Sequence, residues 1–295
     1  MNVSDGCAMV AVRASGKPVT HAKARLVILS VLAAALAAIA VFAPSLCPYD
    51  PNAQDLSAAL QAPSALHPMG TDRFGRDVLS RVIVAAQPSI LLTLALVSCV
   101  ATLGTVVGVA SAWGAKWFDS VAMRVTDGFL AFPRLVFAIA VAAVFGGGMQ
   151  NAVLALVLVS WPKYARLARS MAIAQKHEPY MDAARLSGCG TLQLLWRHLL
   201  PNIAGTLLVT AMLDIGTMMM ELAGLSFLGL GAQPPLAEWG SMMSADRSLL
   251  QTAPWTVFAP GLAIFFAVMV FNLLGDTLRD WLAPELREDG GRDAA

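Results

Sequence analysis

The sequence predicts an all-α integral membrane protein with six transmembrane helices. Hydrophobic residues make up 57% of its 295 residues and charged residues only 13%, whereas a soluble domain carries roughly 25% charged residues. The apolar residues fall into long runs, and a membrane-spanning helix needs about 20 of them. A polar stretch, 176–201, separates two such runs in the second half of the chain. An ordinary water-soluble catalytic domain has no room in this arrangement.

The first part of the chain predicts a tail, one span and a long polar segment. Residues 1–25 carry several basic residues and are expected to form a cytoplasmic tail, followed by a first span at 26–46. A cleaved signal peptide is the competing interpretation, but its apolar core is typically only about 7–15 residues long. Residues 47–87 are polar and rich in proline and aspartate. They are expected to form a periplasmic segment.

Five further spans are expected within a core at 88–282. Their expected positions are 88–113, 121–145, 150–174, 203–230 and 254–274. The polar loop 175–202 joins the fourth span to the fifth, and 283–295 is expected to be a cytoplasmic tail. Pro133 lies inside the third span and should kink it, because proline removes a backbone hydrogen bond.

The basic residues predict the orientation. Most lysines and arginines fall on one side of this arrangement, and the other side carries only Arg73, Arg76, Arg81 and Arg247. Basic residues concentrate on the cytoplasmic side of membrane proteins. Both termini and the loop 175–202 are therefore expected in the cytoplasm. The net charge of +1 gives no reason to expect a nucleic-acid partner.

The stretch 176–201 has an ordered pattern. An acidic-Ala-Ala triplet at 182–184 is followed by Gly188, and Leu200-Pro201 closes the stretch. Alanine favours helix, whereas glycine breaks it and permits a tight reversal. The pattern predicts a helix, a glycine turn and a second short helix that Pro201 ends. Such a unit is suited to docking into a cleft on a partner, and an ordinary amphipathic loop is the alternative.

This pattern resembles the EAA loop of permease subunits of bacterial ABC importers. In that family the loop forms the coupling helix, which is seated on the cytoplasmic ATPase. Asp182 stands where the family usually has Glu, and His198 where many such loops carry Ile. The resemblance implies that the ATPase-coupling residues are Tyr180, Asp182, Ala183, Ala184, Gly188, Leu200 and Pro201.

Other segments resemble the dipeptide, oligopeptide and nickel class of these permeases. Residues 70–77, GTDRFGRD, are similar to the GTD-x-x-GRD segment of that class. Residues 123–133, 221–231 and 233–240 also resemble it, so the resemblance extends over most of the chain. The long segment with the GTD and GRD elements is typical of the second, C-type permease.

The resemblance implies a set of partners and a location. The family pairs two different permease chains with two ATPase subunits and a periplasmic substrate-binding protein, in the bacterial inner membrane. ATP and Mg would be bound by the ATPase subunits, and this chain would bind no cofactor. Dipeptides, longer peptides, glutathione-like molecules and nickel chelates all use subunits of this kind, and the binding protein normally selects among them.

Two carboxylates, Asp214 and Glu221, lie two helical turns apart in the fifth span and share one face. Carboxylates inside a membrane are costly, and they are usually functional or paired. Together with Asp127 and Pro133, they are candidates for the substrate pathway or for the interface between the two permease chains. The alternative is that both carboxylates lie near an end of the span and reach water. Asp127 is also expected to pair with Arg124, three residues before it.

Other classes of protein receive less support from the sequence. It contains no Gly-Lys-Ser/Thr phosphate loop, no HExxH or Cys/His cluster and no GxSxG motif, so an enzyme is not predicted. An ion-coupled secondary transporter that uses Asp214 and Glu221 as carriers is the main alternative. It predicts transport that survives loss of the ATPase and stops with an uncoupler. A membrane scaffold would dock partners without any flux of substrate.

Overall fold

A computed structural model describes residues 19–282, and the regular elements in this range are helices. The long and medium helices are α1 Val19–Leu46, α2 Val78–Trp113, α3 Lys116–Leu130, α4 Arg134–Val144, α5 Met149–Lys176, α6 Pro179–Leu186, α7 Thr191–Phe227, α8 Trp239–Asp246 and α9 Trp255–Leu282. Short 3₁₀ turns lie at Leu56–Ala58 and Arg247–Leu249. The expected tail at 283–295, and most of the one at 1–25, lie outside the described residues.

The chain is an all-helical membrane protein with four to five candidate spans. Within the described residues, four helices are long and apolar enough to cross a membrane, namely α1 from Lys23 onward, α2, α7 and α9. The bent pair of α3 and α4 makes a fifth candidate if it is one span. Helix α5, expected as the fourth span, has the length but carries Lys163, Arg166 and Arg169 in its second half. By length and composition, the structure therefore supports fewer than the six expected spans.

The third span, expected as one kinked helix over 121–145, is broken instead. Helices α3 and α4 meet at 95° across residues 131–133. Proline disfavours the helical conformation in the residue before it, so a helix usually ends there. Pro133 stands directly before α4. The chain therefore changes direction at this point more sharply than a kink within one helix would allow.

Helix α7 continues through Pro201, where the sequence predicts an end. Proline lacks an amide N–H and crowds the carbonyl group four residues earlier, so it normally breaks a helix. Here a wider π-helical turn, Leu195–Leu199, lies immediately before Leu200 and Pro201. Such turns absorb local breaks in the hydrogen-bond ladder of a helix. The second helix expected in 176–201 and the fifth span are therefore one continuous helix.

Helix α5 packs closely along α2 through two glycines one turn apart. A Cβ atom at Gly104 would lie 2.5 Å from the carbonyl oxygen of Trp161, and one at Gly108 would lie 2.3 Å from that of Ala165. These distances are too short for any side chain. Small residues four apart allow this close approach of backbones in membrane helix pairs. The glycines thus hold the polar helix α5 inside the bundle.

Replacing Gly108 by alanine is expected to destabilise this contact by about 1–3 kcal/mol, because the backbone of α5 must move away. Gly128 in α3 offers a matched control, since an added Cβ there meets nothing within 4 Å. The variant Gly128→Ala should be neutral or more stable by up to about 1 kcal/mol, because alanine is the better helix former. Thermal unfolding of the detergent-solubilised variants measures both effects. Equal unfolding temperatures for the two variants would argue against a close contact at Gly108.

The polar segment before α2 is fixed to the ends of α8 and α9. The guanidinium of Arg73 lies 2.7 Å from the carboxylate of Asp246, the last residue of α8. The indole N–H of Trp255, the first residue of α9, donates a hydrogen bond to the carbonyl of Thr71 at 3.1 Å. The segment therefore packs as a folded layer against these helices.

Candidate functional site

The stretch 176–201 folds as the helix α6, a tight turn and the first turns of α7. Gly188 closes α6 with a φ of +85°, in the left-handed region that favours glycine. Its amide donates to the carbonyl of Arg185 at 3.0 Å, and the amide of Cys189 donates to that of Ala184 at 3.1 Å. This arrangement satisfies the last carbonyl groups of α6. The reversal that the sequence predicts at Gly188 is present.

The residues implied to contact an ATPase face in two directions. Asp182 and Ala183 are exposed, whereas Ala184 is only 8% exposed and packs within the hydrophobic core of the chain. Met181, one turn before Ala184, is also buried, because residues three apart share one face of a helix. Ala184 therefore faces the protein's own core and is not accessible to a partner.

Tyr180 ties the loop to both neighbouring helices. Its hydroxyl group donates to Oε1 of Gln175 in α5 at 2.5 Å and accepts from Nδ2 of Asn202 in α7 at 3.2 Å. At the same level, Leu200 is half-buried and Pro201 is exposed. Tyr180 and Leu200 therefore fix the position of the loop, and Pro201 lies on its surface.

Three large apolar side chains around the turn are exposed, and sequence reasoning missed them as contact residues. Leu186 is 90% exposed, Leu192 is 67% exposed and Trp196 is 68% exposed; they are called the turn patch below. Exposed apolar side chains that cluster in one short segment mark interaction sites. Their signal in the sequence is the presence of large apolar residues on both sides of Gly188, within an otherwise polar stretch.

Four ion pairs join α3, α4, α5 and α7. The pairs, called the ion-pair ladder below, are Asp119–Arg169, Asp127–Arg166, Asp214–Lys163 and Glu221–Arg134. Three of the cations, Lys163, Arg166 and Arg169, are spaced three apart on α5 and so share one face. Asp127 therefore pairs across to α5, and not with Arg124 on its own helix as the sequence predicts.

Asp214 is the most buried member of the ladder. Its side chain is 6% exposed, and its carboxylate accepts from Nζ of Lys163 at 2.6 and 2.9 Å and from the hydroxyl group of Tyr164 at 2.9 Å. The structure therefore does not support the alternative that Asp214 reaches water near a helix end. The cost of burying this charge is offset by one cation and one further hydrogen bond.

The break at Pro133 brings Arg134 to Glu221. Arg134 is the first residue of α4, and its Nε and Nη2 atoms lie 2.8 and 2.6 Å from Oε1 of Glu221. A straight third span would carry Arg134 away in a different direction. Pro133 contributes to the site by turning the chain, and no side-chain contact of its own is needed for this.

Sequence reasoning identified Asp127, Asp214 and Glu221 of the ladder, but it missed Asp119 and the partners of all four carboxylates. It counted Lys163, Arg166 and Arg169 among the basic residues of the cytoplasmic side, and it did not single out Arg134. The spacing of three along α5 is a signal of one polar helix face. The pairing of Arg134 has no local signal, because it depends on the angle between α3 and α4.

A second feature is a cavity of about 540 Å³ between the segment before α2 and the loop before α8. Arg73, Arg76 and Arg81 line it, together with residues such as Pro235. Burial raises the pKa of the nearby Asp246 carboxyl group, and the hydrogen bond from Arg73 opposes this shift. Across residues 19–282, the structure shows no cluster of three or more metal-ligating side chains.

Comparisons with known proteins converge on one family. The model for "Binding-protein-dependent transport system inner membrane component" matches residues 104–288. The nickel transport system permease protein NikC of Escherichia coli is 42% identical over 256 residues, which is 87% of this chain and 92% of that protein. The dipeptide transport system permease protein DppC of Alkalihalophilus pseudofirmus is 40% identical over 84% of this chain and 82% of that protein.

One further relative and one solved structure are also similar to this chain. The glutathione transport system permease protein GsiD of Pectobacterium atrosepticum is 40% identical over 85% of this chain and 84% of that protein. A chain of the inward-facing MetNI methionine ABC transporter aligns with a TM-score of 0.48 and 20% identity, over 64% of this chain and 93% of that chain.

Proposed function

Because the chain belongs to the family of binding-protein-dependent transport system inner membrane components, we propose that it forms half of the translocation path for peptides or similar small substrates. It is a multi-pass permease component of an ABC importer in the inner membrane. It is not a catalytic subunit and binds no cofactor, since ATP hydrolysis belongs to a separate chain. The proteins similar to it are named for the transport of nickel, dipeptides and glutathione. These names support a small peptide or a molecule of similar size as its cargo.

The proposed assembly contains a second, different permease chain, two ATPase subunits and a periplasmic binding protein. The proposed topology has six spans, with α3 and α4 as one broken span and α5 as another. The packing of α5 against α2 at Gly104 and Gly108 supports this topology. The ladder explains the low hydropathy of α5, because Lys163, Arg166 and Arg169 on that helix are each paired with a carboxylate. The distribution of basic residues supports cytoplasmic termini.

We propose that α6 and the turn at Gly188 couple this chain to the ATPase. The single observation that carries this proposal is the turn patch, because Leu186 is 90% exposed at the tip of a turn that hydrogen bonds hold in place. An ATPase cleft would bury the apolar side chains of the turn patch. The exposed residues Asp182 and Ala183 belong to the same surface.

The continuity of α7 supports a mechanism for the coupling. Because α7 runs unbroken from Thr191 beside the turn to Phe227, a movement of the loop is transmitted along one helix. Asp214 and Glu221 lie on this helix, so the same movement shifts their positions relative to α4 and α5. Closure of the ATPase dimer on ATP would thereby open the path to the periplasm, and hydrolysis would return it to the inward-facing state.

Cross-linking tests the coupling. A cysteine that replaces Leu186, in a chain whose own cysteines are removed, should cross-link to the ATPase subunit, and the yield should depend on ATP. Leu186 is a better position than the buried Ala184, and Leu66, which is 72% exposed in the proposed periplasmic segment, provides the control. Cysteine at Leu66 should give no such product. Equal yields from both positions, or none from Leu186, would remove the support for ATPase docking at the turn patch.

The alternative of an ion-coupled transporter is disfavoured by the pairing of both carboxylates. A carrier carboxylate must bind and release its ion, whereas Asp214 and Glu221 are each held by a cation at 2.6 Å. Uptake into cells that lack the ATPase distinguishes the two functions. Uptake that persists there and stops with an uncoupler would favour the ion-coupled transporter.

A further inference from the structure

We propose that the two ladder pairs Lys163–Asp214 and Arg134–Glu221 form a cargo-binding subsite for a small zwitterion, a molecule that carries one ammonium and one carboxylate group. The proposal rests on the proposed function, because cargo must pass along this part of the chain. It adds that the permease itself recognises the charged groups of the cargo that the binding protein delivers.

The subsite is built from the side chains of three helices, α4, α5 and α7. Asp214 and Glu221 are separated by about 10 Å along α7, and their partners come from α5 and α4. Glu221 lies about 9 Å along the helix from Phe227, the end of α7. The two pairs therefore occupy successive levels of one wall, and a small molecule can contact both.

The cations of the subsite are more accessible than the carboxylates behind them. The side chains of Lys163 and Arg134 are 45% and 27% exposed, whereas those of Asp214 and Glu221 are 6% and 12% exposed. The open side of the wall therefore presents an ammonium and a guanidinium group. A cargo carboxylate that arrives from this side meets donors of opposite charge.

Glu221 has an unused acceptor. The hydrogen bond from Nε of Arg134 and the ion-pair contact of its Nη2 atom both end on the Oε1 atom of Glu221. Its Oε2 atom is buried and has no hydrogen-bond partner among residues 19–282. A buried carboxylate oxygen without a donor is unfavourable, so a group that donates a hydrogen bond to it would stabilise the site. A cargo ammonium group supplies such a donor once the Glu221 side chain rotates to expose its Oε2 atom.

The charges of the subsite are balanced, and this excludes some kinds of cargo. Lys163 and Arg134 carry two positive charges, and Asp214 and Glu221 carry two negative charges. A bare anion or a bare cation would leave an uncompensated charge among these four paired side chains, whereas a zwitterion leaves the total at zero. The pair Asp119–Arg169 has no comparable spare acceptor, because both carboxylate oxygens of Asp119 already receive a bond from Arg169.

Transport by the complete complex in proteoliposomes tests the subsite. The probes are dialanine and N-acetyl-dialanine, which lacks the ammonium group, and the readout is the ratio of their ATP-dependent uptake. The variant Glu221→Gln should lower this ratio by about tenfold relative to wild type, because a charged hydrogen bond to the ammonium group is lost. The binding protein is the same in every sample, so its own selectivity cancels in the comparison.

Two further variants keep the test decisive. Asp119→Asn removes a carboxylate from the other end of the ladder, and its uptake ratio should stay at the wild-type value. Glu221→Asp keeps the negative charge, but its shorter side chain moves the carboxylate away from the cargo. This variant is used in place of Glu221→Gln if Glu221→Gln does not assemble. A wild-type ratio in the assembled Glu221 variant overturns the subsite while leaving the proposed function intact. A wild-type complex that imports neither probe with ATP overturns the subsite, and the cross-link at Leu186 tests the proposed function separately.

Discussion

Replacing Gly188 by valine is expected to reduce ATP-dependent uptake by about tenfold or more while leaving membrane insertion unchanged. Gly188 has a φ of +85°, and a β-branched residue held in that conformation costs roughly 1–3 kcal/mol. An added side chain there would meet nothing within 4 Å, so the effect arises from the backbone alone. The turn would relax to another geometry, and the turn patch would no longer be presented to the ATPase as one surface.

Two control variants isolate this backbone effect. Gly190 also has open space around it, but its φ is −69°, which any residue adopts. Gly190→Val should therefore retain most of the uptake. Gly188→Asn should retain more uptake than Gly188→Val, because asparagine tolerates the left-handed region. The measurements are uptake into whole cells and the amount of protein in the membrane. Normal uptake by Gly188→Val would show that the turn is not a rigid coupling element.

The turn itself was predictable because its cause is local. Gly188 follows an alanine-rich helical segment, and the left-handed conformation that ends a helix strongly favours glycine. The direction of each side chain was not predictable in the same way. Ala184 and Leu186 lie two residues apart in a short helix, yet one is buried and the other is the most exposed residue of the turn patch. Their directions depend on how α6 packs against the rest of the chain.

The two prolines show that local sequence does not determine how a helix responds to proline. Pro133 predicts a kink within a span, and Pro201 predicts the end of a helix. The structure breaks the chain by 95° at Pro133 but continues α7 through Pro201 after a π turn. A π turn depends on the packing of the whole helix, so the rule for a single proline cannot distinguish the two outcomes.

The pairing within the ladder also depends on the tertiary structure. The carboxylates Asp214 and Glu221 were predictable as candidates because charge in an apolar run is rare. Arg134 lies 87 residues before Glu221, and only the break at Pro133 brings the two together. The same holds for Asp127, which has a cation on its own helix and nevertheless pairs with Arg166 on α5.

Removing the carboxylate of Asp214 should have the largest effect on stability. A buried ion pair that loses one partner typically costs about 3–5 kcal/mol, because the remaining charge stays uncompensated. The side chain of Lys163 is 45% exposed, so water compensates part of this charge, and about 2–3 kcal/mol is expected for Asp214→Ala. The hydroxyl group of Tyr164 also loses its acceptor. Thermal unfolding of the detergent-solubilised protein measures the loss.

Two control variants separate the cost of breaking a buried ion pair from the cost of removing one carboxylate. Asp127→Ala removes a carboxylate from the exposed pair with Arg166, whose side chains are 63% and 55% exposed, and it should cost at most about 1 kcal/mol. The double variant Asp214→Leu with Lys163→Leu removes both buried partners, so it should be more stable than Asp214→Ala alone. If Asp214→Ala and Asp127→Ala unfold at the same temperature, Asp214 is not held in a buried pair. If the double variant is no more stable than Asp214→Ala, the cost comes from the lost packing around Asp214, and the charge left on Lys163 contributes little.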